Sequence, residues 1–244
     1  MNDNRSNYHF VLLHGAWHGA WCWEYVAMNL NALGHTATTP TQRGLGERAD
    51  ELTMTITLSD FTDDLVEHII ETDQRDVILV GHSFGGNAIS GAADRIPERI
   101  ARLVYLDAMV LNSGEAPFDR LPAALAEERL QLARETSGGI SLPAPPATSF
   151  GVLDKNEGDW LEQRLTPHPV STYTSKLELD NPLANGIDAT YVFCTDPVYE
   201  PLESTRERVR QLGWPIREIA AGHNAMVTEP ALLTGLLLDI AAGR

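Results

Sequence analysis

The stretch GHSFGG, residues 81 to 86, sets Ser83 between Gly81 and Gly85, directly after the apolar run DVILV and before NAISGAA. A G-x-S-x-G pattern at a strand-to-helix junction can push a serine hydroxyl out of a sharp turn as a nucleophile. An unassisted hydroxyl reacts poorly, so a histidine must take its proton and a carboxylate must hold that histidine in the right tautomer. With such an elbow both partners are expected after the serine, acid first and histidine second, at the carboxyl ends of later strands.

Of the eight histidines, His223 alone follows the last expected strand, in AAGHNAMVTEP, where a loop can swing its ring over Ser83. His9, His35 and His68 fall on a strand edge, in a turn and on a helix, and read as structural or solvated. His82 belongs to the elbow and should point away from a substrate. His14 and His18 flank the first core loop, where they can brace backbone, and His168 lies in an insertion where it could touch ligand. Two aspartates compete as the acid. Asp196 ends the run ATYVFC one element before His223 and is preferred; Asp107 ends ARLVYL and can reach the same ring from a neighbouring strand end. The alternative role for Asp107 is to accept from loop N–H groups, and Glu200 is a remote third choice.

Acyl transfer also needs donors for a developing oxyanion, usually the N–H after the nucleophile and one from the loop after an early strand. Phe84 offers the first, and Ala16 in LLHGAWHGAW is placed to offer the second. Gly81 and Gly85 relieve crowding at the turn, while Gly86, Ala88 and Gly91 let the next helix approach the sheet. Among Trp17, Trp21 and Trp23, only Trp17 is expected to approach the pocket, the others anchoring a helix on the core.

These residues need a frame. Short apolar runs alternate with segments of helical period, the signature of a mostly parallel sheet flanked by helices. Strands are expected over 9–15, 35–40, 76–82, 101–108, 189–196 and 215–221. Ser59 is the expected cap of a helix burying Phe61, Leu65, Ile69 and Ile70; Gly34 ends a helix begun near Trp21; Pro230 starts the last one. Between about 111 and 187 no core strand appears. That segment, holding LPAALAEERLQLARE and a short helix around Trp160, is expected to be a small, mainly helical lid that governs substrate choice within one domain spanning 1–244.

The 244 residues are 43% hydrophobic and 21% charged, with a formal net charge of −16, which argues against nucleic acid or an anionic membrane surface as partner. Two cysteines, Cys22 and Cys194, make no disulfide framework, and MNDNRSNYHF lacks the apolar core of a leader, so a cytoplasmic protein is expected. No zinc spacing, no phosphate-binding G-x-x-x-x-G-K-[ST] loop and no dinucleotide fingerprint occurs; no metal and no cofactor are implied. A monomer or homodimer is expected.

HFVLLHGAWHGAWCW, GHSFGGNAIS, ARLVYLDAMV, YVFCTDPVYEPL and GHNAMVTEP, taken in that order, resemble the α/β-hydrolase superfamily, in the branch of plant methyl-ester esterases, hydroxynitrile lyases and bacterial pyrethroid-type carboxylesterases. The resemblance covers nearly the whole chain outside the insertion. It implies an α/β-hydrolase fold, a Ser83, Asp196 and His223 triad, and an oxyanion hole from Ala16 and Phe84. Plant relatives carry a TEDK-like stretch where this chain has TDPVYEP, which shifts the carboxylate by one residue. The lyase members carry a threonine and a lysine where this chain has Gly15 and Asn224, which counts against cyanohydrin cleavage. The expected activity is hydrolysis of a small to medium hydrophobic carboxylic ester through an acyl-enzyme, suggested by the aromatic first loop and by Leu121, Leu125, Phe150 and Trp160 in the lid. The alternatives are cleavage of a lactone, amide or carbon-carbon bond, or a ligand receptor without turnover on the same fold.

Overall fold

The computed structural model describes residues 7–244. The stretch read for a leader begins at Met1, and its first six residues lie outside the described residues.

Six strands, β1 (His9–Leu13), β2 (Thr36–Thr38), β3 (Val77–His82), β4 (Ile100–Leu106), β7 (Ala189–Cys194) and β8 (Ile216–Ile219), form one sheet in the order β2-β1-β3-β4-β7-β8. Every pairing is parallel. The central strands are buried on both faces, because alternate side chains feed two separate cores. Val11 and Leu13 of β1 join one cluster, with Leu79 and Leu103; Phe10 and Leu12 join the other, with Ile78, Val80 and Val192.

Helices α1 (Glu24–Ala32), α2 (Leu58–Glu71) and α3 (Gly85–Arg95) connect the first four strands. Gly34, at φ +87°, turns the chain after α1 as expected. The N-cap of α2 is Thr57, not Ser59. Thr57 N–H donates to Asp60 Oδ2 (2.8 Å) while Asp60 N–H returns a bond to the Thr57 hydroxyl (3.4 Å), so the reciprocal box two residues earlier wins. Ser59 instead accepts from Arg95. Phe61, Leu65 and Ile69 are buried at four-residue spacing, but Ile70 sits one helical step round the axis and is exposed.

Between β4 and β7 the chain forms α4 (Ala123–Ser137), a two-residue antiparallel ribbon of β5 (Ser141–Leu142) and β6 (His168–Pro169), α5 (Lys155–Glu162) and α6 (Ser171–Thr174). The ribbon is the one strand pair that the sequence pattern did not suggest; two residues are too few for a periodic signal. Beyond β7 come α7 (Glu203–Leu212), α8 (Ala225–Thr228) and α9 (Pro230–Ala241), the last starting at Pro230 as expected. Among the described residues no helix is long and apolar enough to cross a membrane.

The strand order reverses direction between β1 and β3, where α/β sheets leave a crevice at their carboxyl ends. Leu13 pairs with Gly81 across that switch point, so the loop after β1 and the elbow after β3 leave the sheet side by side.

Candidate active site

Ser83 stands at the tip of the β3-to-α3 turn with φ +51°, a left-handed backbone that a β-carbon tolerates only where its surroundings enforce it. They do. Ser83 N–H donates to Leu106 O (3.1 Å), and Met109 N–H donates to Ser83 O (2.9 Å), clamping the turn to the end of β4. The flanking glycines are required by close approach: a β-carbon at Gly85 would come within 2.6 Å of His14 O, and one at Gly86 would collide with Met109 O.

His223 arrives from the loop after β8. Its Nε2 lies 2.9 Å from Ser83 Oγ and its Nδ1 2.8 Å from Asp107 Oδ2. In the tautomer that satisfies both, Nδ1–H donates to the carboxylate and Nε2 accepts from the hydroxyl. The acid at this position is therefore Asp107, from the end of β4. This corrects the expectation for Asp196, which is exposed at the end of β7 and whose carboxylate takes no hydrogen bond among the described residues. Glu200 is likewise exposed.

Asp107 is completely buried, and its second oxygen accepts from Arg206 of α7 at 2.9 Å. Arg206 also donates to Cys194 O (3.0 Å), which joins the ends of β4 and β7. Burial opposes the guanidinium charge, yet the Asp107 hydrogen bond and charge outweigh it and hold Arg206 above its ordinary pKa. A buried pair of this kind fixes the carboxylate's rotamer and satisfies the lone pairs that His223 leaves free. Arg206 was not anticipated, although its signal was present: it occupies the buried face of α7 with Val209, three residues on.

The loop after β7 contributes a ring in place of a carboxylate. Tyr199 stacks on His223 with centroids 3.9 Å apart and planes 17° from parallel. On the other side His82, fully buried, donates Nε2–H to His223 O at 2.8 Å, so it braces the loop and faces away from the serine.

The loop after β1 is held by three further buried histidines. His14 Nδ1–H donates to Gly15 O (2.8 Å) and its Nε2 accepts from Gln42 N–H (3.1 Å). His18 Nδ1–H donates to Ala16 O (2.7 Å), and its Nε2 accepts from Asn224, the neighbour of His223. His168 accepts from Trp17 N–H (3.4 Å), which places it behind the pocket wall rather than against a ligand. Burial lowers all three: His14 to about 4, His18 to about 3 and His168 well below the ordinary value, so each remains a neutral brace at pH 7. With the Ala16 carbonyl fixed, its N–H and that of Phe84 have no hydrogen-bond partner among the described residues.

Ser83, Ala16 and Phe84 open on one pocket. Trp17 lines it and anchors its indole N–H on Leu142 O (3.2 Å). Leu121 and Leu125 line the opposite wall, while Phe150 belongs to a neighbouring hollow beside His223, and Trp160 packs edge-on against Trp21. Trp23 is wholly buried in the core. Cys22 and Cys194 are buried and unpaired, and among the described residues no cluster of three or more metal-ligating side chains occurs. A hydroxyl, an imidazole and a carboxylate in series beside two unpartnered N–H groups can move a proton and stabilise an oxyanion.

Comparison with known proteins agrees with this architecture. A family model described as the alpha/beta hydrolase family matches residues 10–234. A carbendazim hydrolyzing esterase from Nocardioides is 35% identical over 230 residues, covering 91% of this chain and 94% of that protein. Methylesterase 7 of Arabidopsis thaliana is 27% identical over 260 residues, covering 98% of each. Among solved structures, an extracellular alpha/beta-hydrolase from a Paenibacillus species, described as sharing structural and functional homology with tobacco salicylic acid binding protein 2, superimposes with a TM-score of 0.83 at 28% identity, covering 96% of this chain and 98% of the other. On sequence, fold and strand-end geometry together, the chain belongs to the alpha/beta hydrolase family.

Proposed function

We propose that the chain is a cofactor-independent serine hydrolase of carboxylic esters in which Ser83, His223 and Asp107 form the catalytic triad. The observation that carries this reading is the unbroken series from Ser83 Oγ through both nitrogens of His223 to Asp107, at 2.9 and 2.8 Å.

In the first half-reaction Ser83 Oγ attacks the ester carbonyl while His223 Nε2 takes its proton, and Asp107 stabilises the imidazolium. The negative charge on the carbonyl oxygen is received by the N–H groups of Ala16 and Phe84, a pair of fixed donors. Collapse of the tetrahedral species expels the alcohol, which leaves with the proton from His223. Water then attacks the acyl-enzyme with His223 again as base, and the acid departs as Ser83 recovers its proton. The apolar lining from Trp17, Met109, Leu121 and Leu125 suits an ester with a hydrophobic body of modest size. The names of the relatives, an esterase and a methylesterase, support the same bond class. The reading extends to a cytoplasmic setting, which the two buried thiols support.

Changing Ser83 to alanine should remove turnover of a reporter ester, leave the circular dichroism spectrum unaltered and abolish labelling by an alkyl fluorophosphonate. Retained turnover would refute the mechanism.

A further inference from the structure

The lid wall of the pocket contains a charge where its pattern calls for an apolar residue. Leu121, Leu125 and Arg129 follow one another at four-residue steps, the last two on α4, and all three line the pocket. The same side of α4 presents Ala126, Leu130 and Ala133 to the core. Arg129 is partly buried in this stripe, and it makes no hydrogen bond or ion pair with any described residue. Other lid and neighbouring arginines behave differently: Arg134 pairs with Glu127, and Arg208 with Glu115.

The rest of the wall offers no counter-charge. The chain has 34 acidic residues against 18 lysines and arginines, yet no aspartate or glutamate lines this pocket. Tyr173 and Tyr199 line it beside Arg129, and neither phenol hydroxyl has a hydrogen-bond partner among the described residues. Burial raises both phenols above their ordinary values, with the charge of Arg129 acting in the opposite direction, so both stay protonated donors near neutral pH. A guanidinium and two phenol hydroxyls, none of them hydrogen-bonded to a described residue and with no carboxylate in the wall, form a donor set that matches a carboxylate. Arg129 is partly withdrawn from water in an apolar wall, and an anion seated against it would supply the counter-charge that the wall lacks.

We propose that the ester taken by this pocket carries a second, free carboxylate remote from the scissile carbonyl, as in a monoester of a dicarboxylic acid, and that Arg129 is its counter-charge. The inference rests on the ester-hydrolase reading above. Arg129 sets substrate choice and takes no part in the bond-breaking steps.

The test measures methanol release from methyl monoesters of dicarboxylic acids of four to eight carbons, each against a methyl ester in which an isopropyl group replaces the free carboxylate. For the best chain length, the ratio of kcat/KM for the anionic ester to that for its neutral isostere should fall at least tenfold in Arg129→Gln, mainly through KM, and recover in part in Arg129→Lys. An unchanged ratio in Arg129→Gln overturns the proposal. Turnover of the neutral series alone also overturns it but leaves the ester-hydrolase reading standing. If neither series is hydrolysed and Ser83 resists the fluorophosphonate, that reading falls and takes this proposal with it.

Discussion

The ends of β4 and β7 each carry an aspartate, and they could hardly be used more differently. At the end of β4 Asp107 has no exposed surface, donates its N–H to Val192 O at 2.8 Å and gives one carboxylate oxygen to His223 and the other to Arg206. At the end of β7 Asp196 is held only through its backbone, by a bond from its N–H to Ala221 O at 3.1 Å, and its side chain faces solvent. That loop supplies Tyr199 as a cover for His223 instead. The contrast separates position from preparation. Both aspartates stand at a strand's carboxyl end, but a carboxylate orients an imidazole only when its own rotamer is fixed and water is kept away.

The sharpest way to break this comparison is to neutralise each acid in turn. Asp107→Asn should lower kcat by roughly 10⁴-fold, because the amide favours the wrong histidine tautomer while preserving shape. Asp196→Asn should change kcat by less than about twofold, as expected for an exposed side chain without a partner. Steady-state rates on one ester decide between them.

Arg206 tests whether preparation is what distinguishes Asp107. Arg206→Met should reduce kcat by on the order of 10-fold to 100-fold, the scale of a small misplacement of a positioned group. It should also cost about 3–5 kcal/mol of stability, since a buried carboxylate would lose its cation. Lysine at this position should restore part of both the stability and the rate, because the bonds to Asp107 and Cys194 O both leave from one guanidinium nitrogen, Nη2, and a single ammonium also carries more than one donor. Equal effects of Arg206→Met in the Asp107→Asn background and in the native chain would show the two residues to be independent.

Acidification should weaken the prepared side of the site. His14 and His18 are held neutral by burial, at about 4 and about 3. Below the ordinary value of about 6.5 the unfolded chain binds protons that the folded chain refuses, so stability is full above that pH and declines as pH falls. For His14 alone the loss reaches about 3 kcal/mol by pH 4. Denaturant midpoints measured from pH 7 to pH 4 should decrease steadily, and His14→Gln should flatten the slope.

The contrast also shows what could be read along the chain. The four central strands and the elbow were legible because two-sided burial and a G-x-S-x-G turn leave local patterns. His223 was legible from order alone. The identity of its partner was not, since reach from two neighbouring strand ends depends on loop paths. One local cue favoured Asp107: it sits between apolar Leu106 and Ala108, whereas Asp196 lies between Thr195 and Pro197 in the more polar TDPVYE. Thr57 displaced Ser59 as the cap of α2 because the reciprocal bond with Asp60 uses both residues, a pairing that a search for single capping residues passes over. The lid wrote the weakest signal. Its helix α4 has a charged outer face and a mixed inner one, and the meaning of Arg129 emerges only when the pocket wall is assembled.

The central claim is that the Nδ1–H of His223 is held by Asp107, and proton NMR observes that hydrogen directly. The native protein should show a strongly downfield imidazole N–H resonance that survives Asp196→Asn and disappears in Asp107→Asn and His223→Gln. A resonance that persists in Asp107→Asn and vanishes in Asp196→Asn would contradict the account.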